Sequence, residues 1–130
     1  MLDFKVKIGL IPDVRDLFDF STRKGIFEPA KGVENKNKVL EYIKNNFSDE
    51  ITEFCDLEWL NDLGVVYKNF DCNRVCEYLR EQKVDAIFII NCNFGNEEVC
   101  GQIAKKMGLP VLLWGPQDMV FEPDGQRYTD

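Results

Sequence analysis

Asparagine recurs at positions 91, 93 and 96 in the stretch Asn91-Cys92-Asn93-Phe94-Gly95-Asn96, directly after the longest apolar run of the chain, Ala86–Ile90. A carboxamide offers two donors and an acceptor, which suits the hydroxyls of a sugar better than the oxygens of a phosphate. Gly95 lets the backbone approach closely, and a helix beginning at Asn96 adds free N–H donors. Asparagines also cap turns and helices wherever they occur, so each of the three has a plain structural use beside the chemical one. Cys92 sits between a strand end and a helix start, where a thiol can ionise more readily. No histidine stands anywhere in the chain to activate it, and a small buried thiol is the expected state. Cys72 and Cys76 share one helix face, but no second pair has ligand spacing, so they read as packing. Trp114 and Phe94 can either line a stacking surface or fill the core.

The missing histidines remove the Ser-His and Cys-His dyads, most zinc sites and the commonest general base. Three further chemistries fail on specific residues. A dinucleotide site needs G-x-G-x-x-G after the first strand, where this chain has Pro12-Asp13. A phosphoacceptor domain needs an aspartate where Asn91 and Cys92 stand. A cysteine phosphatase needs an arginine soon after Cys92, and the next one is Arg127. Carboxylates are plentiful without forming a catalytic constellation, and Glu97-Glu98 opens a helix, where negative charge meets the positive end of the macrodipole.

The elements that must position these residues are legible from the apolar pattern. Lys5–Ile11 alternates and then turns solidly apolar, predicting a first strand stopped by Pro12-Asp13. Val14–Gly32 lacks a period and reads as a long loop. Glu34–Asn46 predicts a helix with Val39, Leu40, Ile43 and Phe47 on one face. Ile51–Leu57 is a weaker strand, and the apolar residues around Gly64 (Trp59, Leu60, Leu63, Val65, Val66, Tyr67) suit a loop that packs on a neighbour. A second helix, Asn73–Lys83, has Asp71 or Asn73 as its cap. Val84–Ile90 is apolar on both faces, as in a strand covered by helices on both sides. A third helix, Asn96–Met107, ends at Gly108, and Val111–Trp114 follows as another buried strand. The class is therefore α/β: an open, doubly wound parallel sheet of about four strands with flanking helices, of flavodoxin- or Rossmann-like topology, in one domain spanning 1–130. Ligands in such sheets bind beyond the strands' carboxyl ends, here Pro12–Arg15, Asn91–Asn96 and Gly115–Asp118.

With 130 residues there is room for one core. Sixteen basic against twenty-three acidic residues leave a net charge of −7, which disfavours nucleic acid and anionic membrane surfaces as partners. No stretch is long and apolar enough to span a bilayer, and the start resembles no secretion signal; with five cysteines, an odd number, this predicts reduced thiols in the cytoplasm. The exit Gln117–Asp130 is turn-rich and supplies no closing helix. The expectation is an N-terminal part of something longer, or an edge covered by a partner.

The residues from Val84 to Glu98, continued by Leu109-Pro110-Val111-Leu112-Leu113-Trp114-Gly115-Pro116-Gln117-Asp118, resemble the L-fucose/L-arabinose isomerase-like family. Pro123–Asp130 and Leu57-Glu58-Trp59-Leu60 fit the same likeness, which covers most of the chain from about Lys5 and is loose before Asn35. The resemblance implies aldose–ketose isomerisation in the full-length family, at a divalent metal expected to be Mn2+. It places the metal ligands and proton-transfer acids in later domains, so this chain is expected to hold no cofactor and to be inactive alone. By that analogy the domain makes homo-oligomer contacts, or contacts with downstream domains of the same protein, and walls one side of a sugar site. Arg15, Asn91, Asn93 and Phe94 are then the substrate-binding candidates, with no catalytic residue and no metal ligand in the chain. The alternative is a stand-alone, non-catalytic α/β binding or assembly module.

Overall fold

The alternating residues after Lys5 form β1 (Val6–Asp13). In the computed structural model, which describes residues 4–15, 29–93 and 95–115, β1 lies inside a four-stranded parallel sheet. The other elements are α1 (Pro29–Phe47), β2 (Thr52–Cys55), α2 (Cys72–Glu81), β3 (Ala86–Asn91), α3 (Glu97–Met107) and β4 (Val111–Trp114), with a single 3-10 turn, Asn69–Asp71, before α2. The strand order is β2-β1-β3-β4.

Period-two alternation along the strands divides the core into two layers. Leu10 and Ile90 face α1, where Leu40 and Ile43 meet them together with Val14 and Cys92. Ile11, Ile87 and Ile89 face the other side, against Val75, Cys76 and Leu79 of α2 and Val99 and Ile103 of α3. The helical residues involved recur at three- and four-residue intervals, the spacing that keeps them on one stripe. Each fully buried aliphatic side chain contributes about 1.5–3 kcal/mol. Helices on both faces of a parallel sheet make the fold doubly wound, as the sequence predicts.

Several boundaries differ from the sequence pattern for identifiable reasons. β1 runs through Pro12 to Asp13. The carbonyls of Lys7 and Asp13 accept from Asp85 and Cys92 on the β3 side, whereas the Pro12 carbonyl accepts from Val66 on the other. The N–H that Pro12 lacks therefore falls where β2 has already ended, and no β1–β3 bond is lost. α1 starts at Pro29, five residues before Glu34, because proline suits the first helical turn. Residues 29–32 of the expected loop are thus helical, and 16–28 lie outside the described residues. The cluster around Gly64 packs into the chain's own core: Leu60, Val65 and Val66 are buried, and Val66 bridges Asp13. Asp71 is the residue before α2, as one of the two expected caps, but its side chain makes no capping bond and instead lies 3.6 Å from Arg74.

β4 corrects the expectation most clearly. All four of its residues are exposed, including Leu112 and Leu113 at 62% and 61%. It is an edge strand, and among the described residues nothing flanks its outer side. By contrast, α3 begins and ends as predicted. Asn96 accepts from the Val99 N–H at its start, and Gly108 closes it at φ 62°, a left-handed conformation that glycine adopts without a Cβ penalty.

Candidate functional site

β1 and β3 are neighbours, but the chain leaves them in opposite directions. From β1 it passes through α1 to β2, and from β3 through α3 to β4 on the far side. The crevice beyond their carboxyl ends is the topological switch point at which ligands bind in this class of sheet. Its floor is the register pair Asp13 and Asn91. Both follow residues of the α2–α3 layer, Ile11 and Ile89, by two positions, so both side chains project on that face.

Asp13 is fully buried. Its Oδ2 accepts the backbone N–H of Asn96 at 2.6 Å, which joins the end of β1 to the start of α3. Among the described residues Oδ1 makes no hydrogen bond; the carboxyl's other neighbours are the Cys100 thiol, a weak donor, and its own backbone N–H. Burial raises its pKa from 3.8 to about 6, against the lowering pull of the Asn96 N–H and the Cys100 thiol, while the charge of Glu97 adds to the rise.

The loop that follows β3 is organised by its own asparagines. Asn93 Oδ1 accepts the backbone N–H of Arg15 and that of Gly95, each at 3.0 Å. Asn35 of α1 donates to the Cys92 carbonyl at 3.1 Å. Asn96 donates to the Tyr67 carbonyl at 3.4 Å and to Asn69 Oδ1 at 3.2 Å. Gly95 has φ 73°, and a Cβ there would lie 2.8 Å from Asp13 Oδ2 and 2.9 Å from Asn91 Oδ1. Only glycine fits that conformation over that pair.

The fold brings three of the four sequence-selected residues, Arg15, Asn91 and Asn93, to this crevice; Phe94 lies outside the described residues. Asn93 uses its oxygen to hold the turn, and its buried Nδ2 makes no hydrogen bond among the described residues. Asn91 is half-buried between Gly95 and Gly115. Trp114 is not part of the crevice. It pairs in register with Ile90 and lines an apolar cavity of about 490 Å³ with Tyr42, Phe47 and Phe88, on the α1 face. Asp13 is the residue that the sequence reading passed over, as a strand stop. Its signal is an acid inside the apolar run Leu10–Val14, in phase with Ile11.

The cysteines behave as packing. Burial pushes the Cys92 thiol up to about 12, with the neighbouring Asp13 charge adding to the effect, and Cys76 up to about 11, with Cys72 adding. A strand end before a helix does not offset that loss of water. All five cysteines are free and buried. Among the described residues no three histidine, cysteine, aspartate or glutamate side chains converge as metal ligands. The described residues thus offer no ligand set for the manganese that the resemblance implies.

The strands and helices together define a doubly wound α/β domain with a polar, glycine-roofed cluster at its switch point. The chain belongs to the fucose/sulfoquinovose isomerase N-terminal domain family, whose model matches residues 20–130. β1, Asp13 and Arg15 precede the matched span. Comparison with curated proteins and with solved structures finds no match. Among the described residues no helix is long and apolar enough to cross a membrane.

Proposed function

We propose that this chain serves as the N-terminal domain of a sugar isomerase, giving one wall to a sugar site and a contact surface to the assembly that completes it. The observation that carries this reading is the switch-point crevice, where Asn91 lies beside Asp13 under Gly95 in a chain matched to an isomerase N-terminal domain over residues 20–130. A half-buried carboxamide gives donors and acceptors to vicinal hydroxyls without charge. Arg15, tied to Asn93 through its backbone, stands at the rim of the same crevice.

The contact surface is supported by β4 and the C-terminal half of α1. Leu112, Leu113, Trp114, Tyr42 and Phe47 are all exposed, a concentration of apolar area that isolated soluble domains rarely leave in water. A second copy or downstream domains of the same protein cover it in this reading, in the cytoplasm, and the manganese and proton-transfer acids come from those other domains.

Two measurements test the proposal. Titration of the chain with L-fucose or L-arabinose, followed by backbone NMR, is expected to shift the signals of Asn91 and its neighbours while leaving α2 unchanged. Turnover of either sugar is expected to be nil for this chain alone, with manganese added. Manganese-dependent turnover by the isolated chain, or no shift at Asn91 at millimolar sugar, overturns the reading.

A further inference from the structure

We propose that Asp13 is a proton-operated latch: protonation of its carboxyl holds Gly95, Asn96 and the start of α3 against the end of β1, and ionisation loosens them. The inference stands whether or not the loop meets a sugar.

The geometry is that of a clasp with one arm empty. Asp13 and Asn96 are 83 positions apart, and their 2.6 Å bond is the side-chain link from β1 to the N-cap of α3. The same carboxyl is fully buried, yet among the described residues Oδ1 makes no hydrogen bond. An ionised carboxylate has about four acceptor sites to satisfy, and this one satisfies a single one within reach of Asn96. A protonated carboxyl still accepts from Asn96 through its carbonyl oxygen and no longer leaves a bare charge in the core. When the proton leaves, the stable course is to let water reach Oδ1. Gly95 is part of the cover over this carboxyl, since a Cβ there would lie 2.8 Å from Asp13 Oδ2, and admitting water means parting that cover.

The surroundings sharpen the response. From α3, Glu97 repels the ionised form and the Cys100 thiol is a weak donor. From the end of β3, Asn91 is neutral and the Cys92 thiol is held protonated by burial. From the segment beside β1, Lys68 is turned onto the rings of Tyr67 and Phe70, at 5.0 and 5.2 Å. From α1, the Lys36 ammonium pairs with Glu58. Arg15, two residues beyond Asp13 at the exit of β1, donates its backbone N–H to Asn93. Among the leading influences on the Asp13 carboxyl the charged group is Glu97, which opposes ionisation, so the proton decides whether the clasp is comfortable. With a folded pKa of about 6 against an ordinary 3.8, the change falls between pH 4 and 6.

The test is backbone hydrogen exchange of this chain from pH 4 to 7.5, corrected for the intrinsic pH dependence of exchange. Protection at Asn96 and Val99 is expected to fall by up to about 100-fold between pH 4 and 6 and then level off, tenfold for each unit of pKa difference. It is expected to remain below the protection of Ile89 throughout, since the loop opens without the sheet. In Asp13→Asn, which keeps an acceptor and cannot ionise, the profile is expected to be flat. A wild-type profile without that fall, or one superimposable on Ile89 at every pH, overturns the latch. Should Asp13→Asn fail to fold, the carboxyl carbon signal of wild-type Asp13 decides: a midpoint near 6 supports the latch and one near 4 overturns it.

Discussion

Asn93 holds Arg15 in place through the backbone: its carboxamide oxygen lies 3.0 Å from the Arg15 N–H and takes the Gly95 N–H at the same distance. One oxygen thus couples the exit of β1 to the turn that roofs the crevice. Asn93→Ala leaves both N–H groups without that acceptor, and the expected cost is about 1–3 kcal/mol. Urea denaturation measures it. A change below about 0.5 kcal/mol means that water replaces the bond and that the turn is not held from this residue.

The Lys36 ammonium is 3% exposed, while Glu58, its partner at 2.8 Å, is 54% exposed. The asymmetry separates the two halves of the pair. Glu58→Gln leaves a buried cation without its counter-charge and is expected to cost about 1–3 kcal/mol. Lys36→Met removes the buried charge together with its desolvation, keeps the side-chain volume, and is expected to cost less than about 1 kcal/mol or to stabilise. Thermal melts of the two variants decide. If Lys36→Met is the more damaging, the ion pair stabilises the α1 contact beyond what apolar packing can replace.

Lys83, in the turn between α2 and β3, has φ 55°, the left-handed region, with no glycine to relieve it. Its N–H bonds the Arg80 carbonyl at 3.1 Å, so the turn closes the helix despite the side chain. Lys83→Gly removes the Cβ strain and returns part of the gain as unfolded-state entropy, for a net stabilisation of about 0.5–1 kcal/mol. A destabilised variant in a denaturant series contradicts this account.

The parts of the fold that the sequence displays are those fixed by local periodicity. β3 and α3 are legible because apolar runs, an N-cap and a C-cap glycine act over a few residues. The burial of Val65 and Val66 was not legible, because it depends on a bridge from Val66 back to Asp13. The exposure of β4 was not legible either. Four apolar residues in a row look the same at an edge as at the centre, and only the strand order distinguishes them. At the site, the asparagines drew notice by type and spacing. Asp13 did not, since its importance lies in what folding buries around it: a carboxylate after a proline reads as a turn until Asn96 and Gly95 are brought over it.

The buried Asp13 carboxyl also sets the pH dependence of global stability, and the sign follows from linkage. Its pKa is raised in the fold, from 3.8 to about 6, so between those values the folded chain holds a proton that the unfolded chain has released. Stability from this group is therefore complete below pH 3.8, declines as pH rises towards 6, and is level beyond. The opposite slope belongs to carboxylates that folding stabilises in the charged form, such as Asp49, whose pKa is lowered by the Ile51 backbone N–H. The Asp13 contribution amounts to about 3 kcal/mol across the window, at 1.36 kcal/mol per unit. Subtracting the unfolding free energies of Asp13→Asn from those of wild type, pH by pH, isolates it. The difference is expected to move against wild type by that order between pH 4 and 6 and to stay constant from pH 7 to 8. A constant difference across the whole range means that the carboxyl titrates alike in both states, and that water reaches Asp13 in the folded chain.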